Sequence, residues 1–343
     1  MATKSQRVPI SQLTGENRII RLLQNYFRDT SPLLKKGIGD DAAVIHPPHA
    51  QEYWIITTDM LLENVDFRPD WITPGQLGYK SISVNLSDLA AMGARPRFCT
   101  VSLGLPAGFA EDWILQFYRG LNEAGRLHDM LLIGGDLSRS EGGITISITA
   151  LGESLNRKVL YRSGARTGHL LFVTGVLGRS AAGLKLLQDG SFRTRSRTKQ
   201  EAIRSHLKPE ARCRVGIWLA QCGLVSCMMD LSDGLSMDLP RICAANGVGA
   251  EIDASRLPIF EKSSLWGCDP HALALDGGED YELLFAVPPA KADMLERNYP
   301  EEFPPISNIG KLTKNAGAIW ISEAGRNRRR LFEGGYNHFN EYE

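Results

Sequence analysis

Residues 73–105 read TPGQLGYKSISVNLSDLAAMGARPRFCTVSLGL. Thr73-Pro74 is a cap followed by a first-turn residue, because proline lacks an N–H that the first turn leaves unpaired anyway. The spacing predicts a helix to about Met92, closed by Gly93 and Pro96. Phe98–Leu103 then reads as a strand. A mostly apolar helix running straight into a strand marks a mixed α/β chain. Asp88 lies inside that helix, with Asn85 three residues earlier on the same face. An unpartnered buried carboxylate costs several kcal/mol, so Asp88 requires a cation or hydrogen-bond donors.

The alternation continues outward. Upstream, residues 16–28 carry apolar side chains at helical spacing, and Tyr53–Thr57 reads as a short buried strand. Downstream, Ala110–His128 reads as a helix, and Met130–Ile133 and Ile144–Leu151 as strands. Residues 152–168 are polar and turn-rich, which places a domain boundary near 155, giving domains 1–155 and 156–343. The second domain is expected to hold strands at His169–Thr174, Val225–Met229 and Tyr281–Val287. Helices are expected over Arg179–Gln188, from Pro209 to Cys222, and over Ser236–Asn246. The basic stretch 191–200 (SFRTRSRTKQ) lacks an apolar face and reads as a solvated loop.

The chain has 343 residues, of which 43% are hydrophobic and 23% charged, ordinary for a globular protein and too apolar for a disordered one. Lys and Arg total 39 and Asp and Glu 39, so the net charge gives no support to a nucleic-acid or membrane-surface binder. No apolar run reaches the ~20 residues of a membrane helix, and the start MATKSQRVPI lacks the apolar core of a signal peptide. The cysteines (Cys99, Cys213, Cys222, Cys227, Cys243, Cys268) form no CxxC pair and read as reduced core thiols of a cytoplasmic protein.

The acids are informative by address. Asp40 and Asp41 lie in GIGDDAAVI, Asp59 in TTDML, and Asp136 in IGGDLSRS after a strand. Asp230 and Asp233 lie in MDLSDGL, and Glu279 and Asp280 in DGGEDYEL. Beside Gly, Ser or Thr at strand ends, backbone can approach a ligand closely. Hard oxygen donors without nearby His or Cys favour Mg²⁺, which takes one or two carboxylates per ion and completes its shell with phosphates. Many carboxylates then imply several ions and a polyphosphate ligand. The usual nucleotide signatures are missing: GRSAAGLK (178–185) has Leu where a P-loop needs Lys, GVGAEI (247–252) lacks its third Gly, and no kinase HRD or DFG occurs.

GIGDDAAVI (37–45), TTDMLLENVDF (57–67), KSISVNLSDLAAMGARP (80–96), IGGDLSRS (133–140), YRSGARTGHLLFVTG (161–175), MDLSDGLSMDL (229–239), GGEDYELLF (277–285) and GGYNHF (334–339) together resemble the thiamine-monophosphate kinase family. The blocks stand in family order across nearly the whole chain. The wider superfamily includes aminoimidazole ribonucleotide synthetase, selenophosphate synthetase and a hydrogenase maturation protein. The resemblance implies a two-domain α/β (α+β) fold whose N-terminal sheet completes a barrel with its copy in a homodimer. It implies ATP as co-substrate, thiamine monophosphate as acceptor and thiamine diphosphate as product.

By the same resemblance, Asp41, Thr57, Thr58, Asp59, Asp88, Asp136, Asp230 and Asp233 match magnesium positions, with Asp88, Asp136 and Asp233 central to catalysis. Gly135, Asp136, Arg162 and Ser232 match nucleotide positions. Asp66, Glu279 and Tyr336 match positions touching thiamine monophosphate. Leu137 departs from the Thr expected after GGD. Two alternatives stay open: another ATP-dependent synthetase of the superfamily, separable by its acceptor, and a Mg-nucleotide-binding protein that does not consume ATP.

Overall fold

The computed structural model describes residues 16–27, 31–108, 110–191, 193–332 and 334–336. The start MATKSQRVPI, Arg28, Phe192 and the NHF of GGYNHF lie outside the described residues.

The N-terminal half runs α1 (Glu16–Tyr26), β1 (Leu34–Lys36), β2 (Ala43–Ile45), β3 (Trp54–Leu62), α2 (Pro74–Ala91), β4 (Arg95–Leu105), α3 (Glu111–Arg126), β5 (Leu131–Arg139) and β6 (Thr145–Glu153). Its six-stranded sheet has the order β1-β2-β3-β6-β4-β5, with β4 and β5 parallel and the other pairs antiparallel. In β6 the side chains alternate between faces, and Ile146, Ile148 and Ala150 are buried beneath α2. On the other face Met60, Phe98 and Leu131 are exposed, and β5 is exposed along its whole length at an open edge.

The expected cap of α2 is present. Thr73 Oγ1 accepts from the Gln76 N–H while the Gln76 side chain accepts from the Thr73 N–H, a reciprocal capping box. Small residues then let α2 touch its neighbours backbone to backbone. A Cβ on Gly78 would lie 1.9 Å from the Phe117 carbonyl oxygen, and one on Gly120 1.7 Å from that of Gly75. On the other side of α2, a Cβ on Gly216 would lie 2.0 Å from the Ala90 carbonyl oxygen.

The C-terminal half runs β7 (Leu170–Thr174), α4 (Arg179–Gln188), α5 (Arg197–Leu207), α6 (Cys213–Cys222), β8 (Cys227–Asp230), α7 (Leu235–Asn246), β9 (Gly249–Asp253), α8 (Pro270–Asp276), β10 (Leu283–Val287), α9 (Pro289–Asn298), β11 (Ile306–Thr313), β12 (Ile319–Glu323) and β13 (Arg326–Arg330). Its seven-stranded sheet has the order β13-β12-β9-β11-β7-β10-β8, with only β9 and β12 parallel. One face, with Phe172, Met228 and Phe285, shares a core with α2 and the first sheet. The opposite face, with Leu171, Met229 and Leu284, packs with α7 and α8 residues. Helix α2 therefore lies between the sheets and contacts β3, β6 and β8.

Three expectations shift. The tail of the basic stretch is helical, because α5 begins at Arg197 and buries Ala202, His206 and Leu207 on one face. Helix α6 begins at Cys213 rather than Pro209, with Arg212 as its cap residue, its guanidinium fixed on Glu282 at 2.6 and 2.8 Å. Strand β5 runs through Gly-Gly-Asp to Arg139, so Asp136 stands within a strand. GVGAEI is the start of β9, and GRSAAGLK opens α4 with Gly178 at φ 79. The six cysteines are all free.

Candidate active site

Four chain segments deliver carboxylates to one point. Asp88 comes from the last turns of α2, Asp41 from the turn before β2, Asp59 from β3 and Asp230 from the end of β8. One carboxylate oxygen from each of Asp41, Asp88 and Asp230 lies within 4.8 Å of the others. Thr57 Oγ1 donates to Asp88 Oδ2 at 2.5 Å, and Ser87 Oγ to Asp230 Oδ2 at 2.6 Å. Arg162 Nε and Nη2 both donate to Asp41 Oδ1, at 2.9 and 2.5 Å. Asp41 Oδ2 is buried and has no hydrogen-bond partner among the described residues.

Crowding buried carboxylates opposes their ionisation. Burial pushes Asp41 up to about 7, against the pull of Arg162. Burial, then repulsion from Asp59, Asp230 and Asp41, raises Asp88 well above the ordinary range. Burial also raises Asp230, against its bonds to Ser87 and the charge of Arg162. Oxygen-only donors, an orphaned buried oxygen and clustered carboxylates that Arg162 only partly offsets fit a hard divalent cation.

These residues line a cleft of about 1470 Å³ that also holds Thr57, Thr58, Asp59, Asp66, Ser232, Asp233, Glu279 and Tyr336. Asp233 is held by Arg241 at 2.5 Å, and Arg241 also pairs with Asp238 at 2.7 Å. Tyr336 donates its N–H to the Asp233 carbonyl at 3.2 Å. Asp66 Oδ2 accepts from the Leu62 N–H at 2.7 Å. Thr58 Oγ1 donates to the Ile148 carbonyl at 3.0 Å.

Gly135 and Asp136 are not part of this cleft. They stand on β5, where Asp136 accepts from Ser138 Oγ at 3.0 Å. A Cβ on Gly135 would lie 2.0 Å from the Val101 carbonyl oxygen, so the strand needs glycine there for packing.

Two residues that hold the cleft's Glu279 escaped the sequence reading. Lys80, one per cent exposed, meets both carboxylate oxygens of Glu279 at 2.8 and 2.9 Å. His206 Nδ1 lies 3.0 Å from Glu279 Oε2. The signal for Lys80 was the one that exposed Asp88, a charge inside an apolar helix. His206 carried no such signal, because α5 is mostly polar.

The fold is that of the AIR synthase related proteins: the model of their N-terminal domain matches residues 39–154, and that of their C-terminal domain residues 166–321. Within that class, the chain belongs to the thiamine-monophosphate kinase family. It is 36% identical over 317 residues to the thiamine-monophosphate kinase of Rhodopirellula baltica, covering 90% of this chain and 92% of that one. It is 38% identical over 327 residues to that of Escherichia coli K12, covering 95% and 98%. The solved structure of AaThiL complexed with AMPPCP and TMP superposes with a TM-score of 0.84 at 31% identity, covering 97% of this chain and all of that one.

Proposed function

We propose that this protein is a thiamine-monophosphate kinase, moving the γ-phosphoryl group of ATP onto the phosphate of thiamine monophosphate. The observation that carries the reading is the carboxylate cluster of Asp41, Asp88 and Asp230, set in a cleft of a chain that resembles such kinases end to end. The acceptor phosphate has a second pKa of about 6, so near pH 7 it is mostly dianionic and needs no general base. The barrier is electrostatic, because two anions must meet.

Asp41, Thr57, Thr58, Asp59, Asp88, Asp230 and Asp233 would hold Mg²⁺. Bound there, Mg²⁺ supplies charge neutralisation and in-line alignment of the phosphates. Asp88 emerges from a helix packed between two sheets, and Thr57 Oγ1 holds its carboxylate at the cluster. Arg162, already poised at the cluster, adds a planar cation to the nucleotide side together with Ser232. Glu279, Asp66 and Tyr336 line the same cleft and receive the thiamine end. The transfer is direct, with no phosphoenzyme, and acid-stable phosphoprotein in a rapid-quench experiment would count against it.

A homodimer accounts for the rest of the sequence reading. The exposed apolar face of the first sheet and the open edge of β5 suit a second copy that closes the sheet into a barrel. Gly135 and Asp136 would then serve the partner's nucleotide and metal site. ATP and a biosynthetic phosphate ester as substrates, with six free cysteines, support a cytoplasmic location.

The test is a product assay with thiamine monophosphate, ATP and Mg²⁺. Thiamine diphosphate and ADP should form in equal amounts, and EDTA should abolish both. ATP turnover without thiamine diphosphate would point to another synthetase of the superfamily, and no turnover to a binding protein.

A further inference from the structure

Glu279 is held from three directions. Its backbone is in the left-handed region at φ 63, a strained conformation for a residue with a side chain. Its N–H donates to the Ser232 carbonyl at 2.7 Å, and the Tyr281 N–H donates to the Leu231 carbonyl at 3.0 Å. Asp280 between them accepts from the Gly178 and Ser180 N–H groups at 2.5 and 3.0 Å, anchoring the segment to the start of α4. The strain therefore persists because the neighbouring segments fix it.

The side chain is as constrained as the backbone. An ionised carboxylate offers about four lone-pair sites. Lys80 Nζ takes one on each oxygen of Glu279, and His206 Nδ1 takes a second on Oε2. One site remains, on Oε1, and Glu279 borders the cleft. His206 also lies 3.1 Å from Ser180 Oγ, which fixes its ring. Lys80 contributes nothing to the cleft wall itself, so its buried charge reaches the cleft through Glu279.

We infer that Lys80 and His206 are positioning residues that fix Glu279 as a hydrogen-bond acceptor for the exocyclic amino group of the acceptor's pyrimidine ring. The inference rests on the kinase reading above and names what that site recognises. A carboxylate repels the phosphate end of the acceptor, which leaves the ring end as its counterpart. The ionisation state agrees: burial pushes Glu279 up, but Lys80 and His206 bring it down to about 2. Burial and Lys80 together lower His206, so it serves as a neutral donor.

The test compares thiamine monophosphate with its 4′-oxo analogue, which places a carbonyl where the amine stands. Wild type should prefer the amine at least tenfold in kcat/KM. Lys80→Met should raise KM for thiamine monophosphate about tenfold and erase that preference, with KM for ATP and kcat within threefold. The Lys80→Met/Glu279→Gln double variant should be no worse than Glu279→Gln alone. Should Lys80→Met fail to fold, His206→Phe carries the same expectation, and His206→Asn, which restores a donor near Nδ1, should recover the preference. A normal KM and preference in folded Lys80→Met or His206→Phe, with Glu279→Gln impaired, overturns the positioning role and leaves the substrate reading intact. A normal KM in Glu279→Gln removes Glu279 from the substrate and the inference with it. Absence of any thiamine diphosphate from wild type removes the kinase reading itself.

Discussion

Asp41 carries opposing forces in a single side chain. Its Oδ1 is taken by Arg162, while its Oδ2 is buried without a donor among the described residues. Burial lifts its pKa from 3.8 to about 7, so the folded state keeps a proton that the unfolded chain releases at lower pH. Metal-free protein should therefore lose stability as pH rises from about 4 to 7, since the folded form binds more protons in that window. Cation binding requires the ionised form, so Mg²⁺ should raise Tm more at pH 8 than at pH 6. Melts in EDTA and in Mg²⁺ at both pH values check this, and an equal increment at both would refute it. Asp88→Asn and Asp233→Asn should each lower turnover by about 10²-fold or more, the scale of losing a key electrostatic group, with the fold retained. In metal-free protein Asp88→Asn should also lessen the loss of Tm with rising pH, because it removes a buried carboxyl whose ionisation is opposed by burial and by its acidic neighbours. Asp88 was legible because a carboxylate in an apolar helix demands an explanation. Lys80 posed the same question eight residues earlier, and its answer, Glu279, lies 199 positions away, beyond any local pattern.

Helix α2 shows where element-scale reading succeeds. Thr73-Pro74 and Gly93 marked its ends, and the structure places it at Pro74–Ala91 with both halves of the capping box formed. Removing the cap in Thr73→Ala should cost about 1 kcal/mol. The α2–α3 contact should be far less tolerant. A side chain at Gly120 meets the backbone of Gly75, which cannot yield as a flexible side chain would. Gly120→Val should thus exceed the usual overpacking cost of ~1–3 kcal/mol. Urea unfolding of both variants gives the comparison, and a Gly120→Val loss no larger than that of Thr73→Ala would contradict the packing. Helix α5 was missed for a physical reason. Its first turn is basic and solvated, and its buried face has only Ala202, His206 and Leu207, too few apolar residues to show a helical period. Strand β5 was cut short because Gly134, Gly135 and Asp136 are turn-forming residues in isolation, and pairing with β4 overrides that preference.

At the scale of the whole molecule, the described residues leave the β5 edge and the apolar face beside it exposed. Ile133→Lys should reduce the sedimenting mass to that of a monomer and abolish turnover together. A mixture of inactive Asp88→Asn and Asp136→Asn chains should regain activity on subunit exchange, because one of the two mixed sites would hold both native carboxylates. No recovery, with exchange demonstrated, would return Asp136 to its own chain. The family resemblance was legible in short strings and carried the homodimer expectation with it, whereas the exposed apolar face that suits the proposed dimer is assembled only by folding. One consequence follows from α2 itself. In the reading proposed above, Asp88 serves the reacting phosphates while Lys80, through Glu279, serves the ring end of the acceptor, and at 1.5 Å rise per residue their eight-residue separation spans about 12 Å of one helix. The two ends of the acceptor are gauged against a single calliper. An acceptor lacking its phosphate would reach only the Lys80 end of that span, so thiamine itself should bind more weakly than its monophosphate.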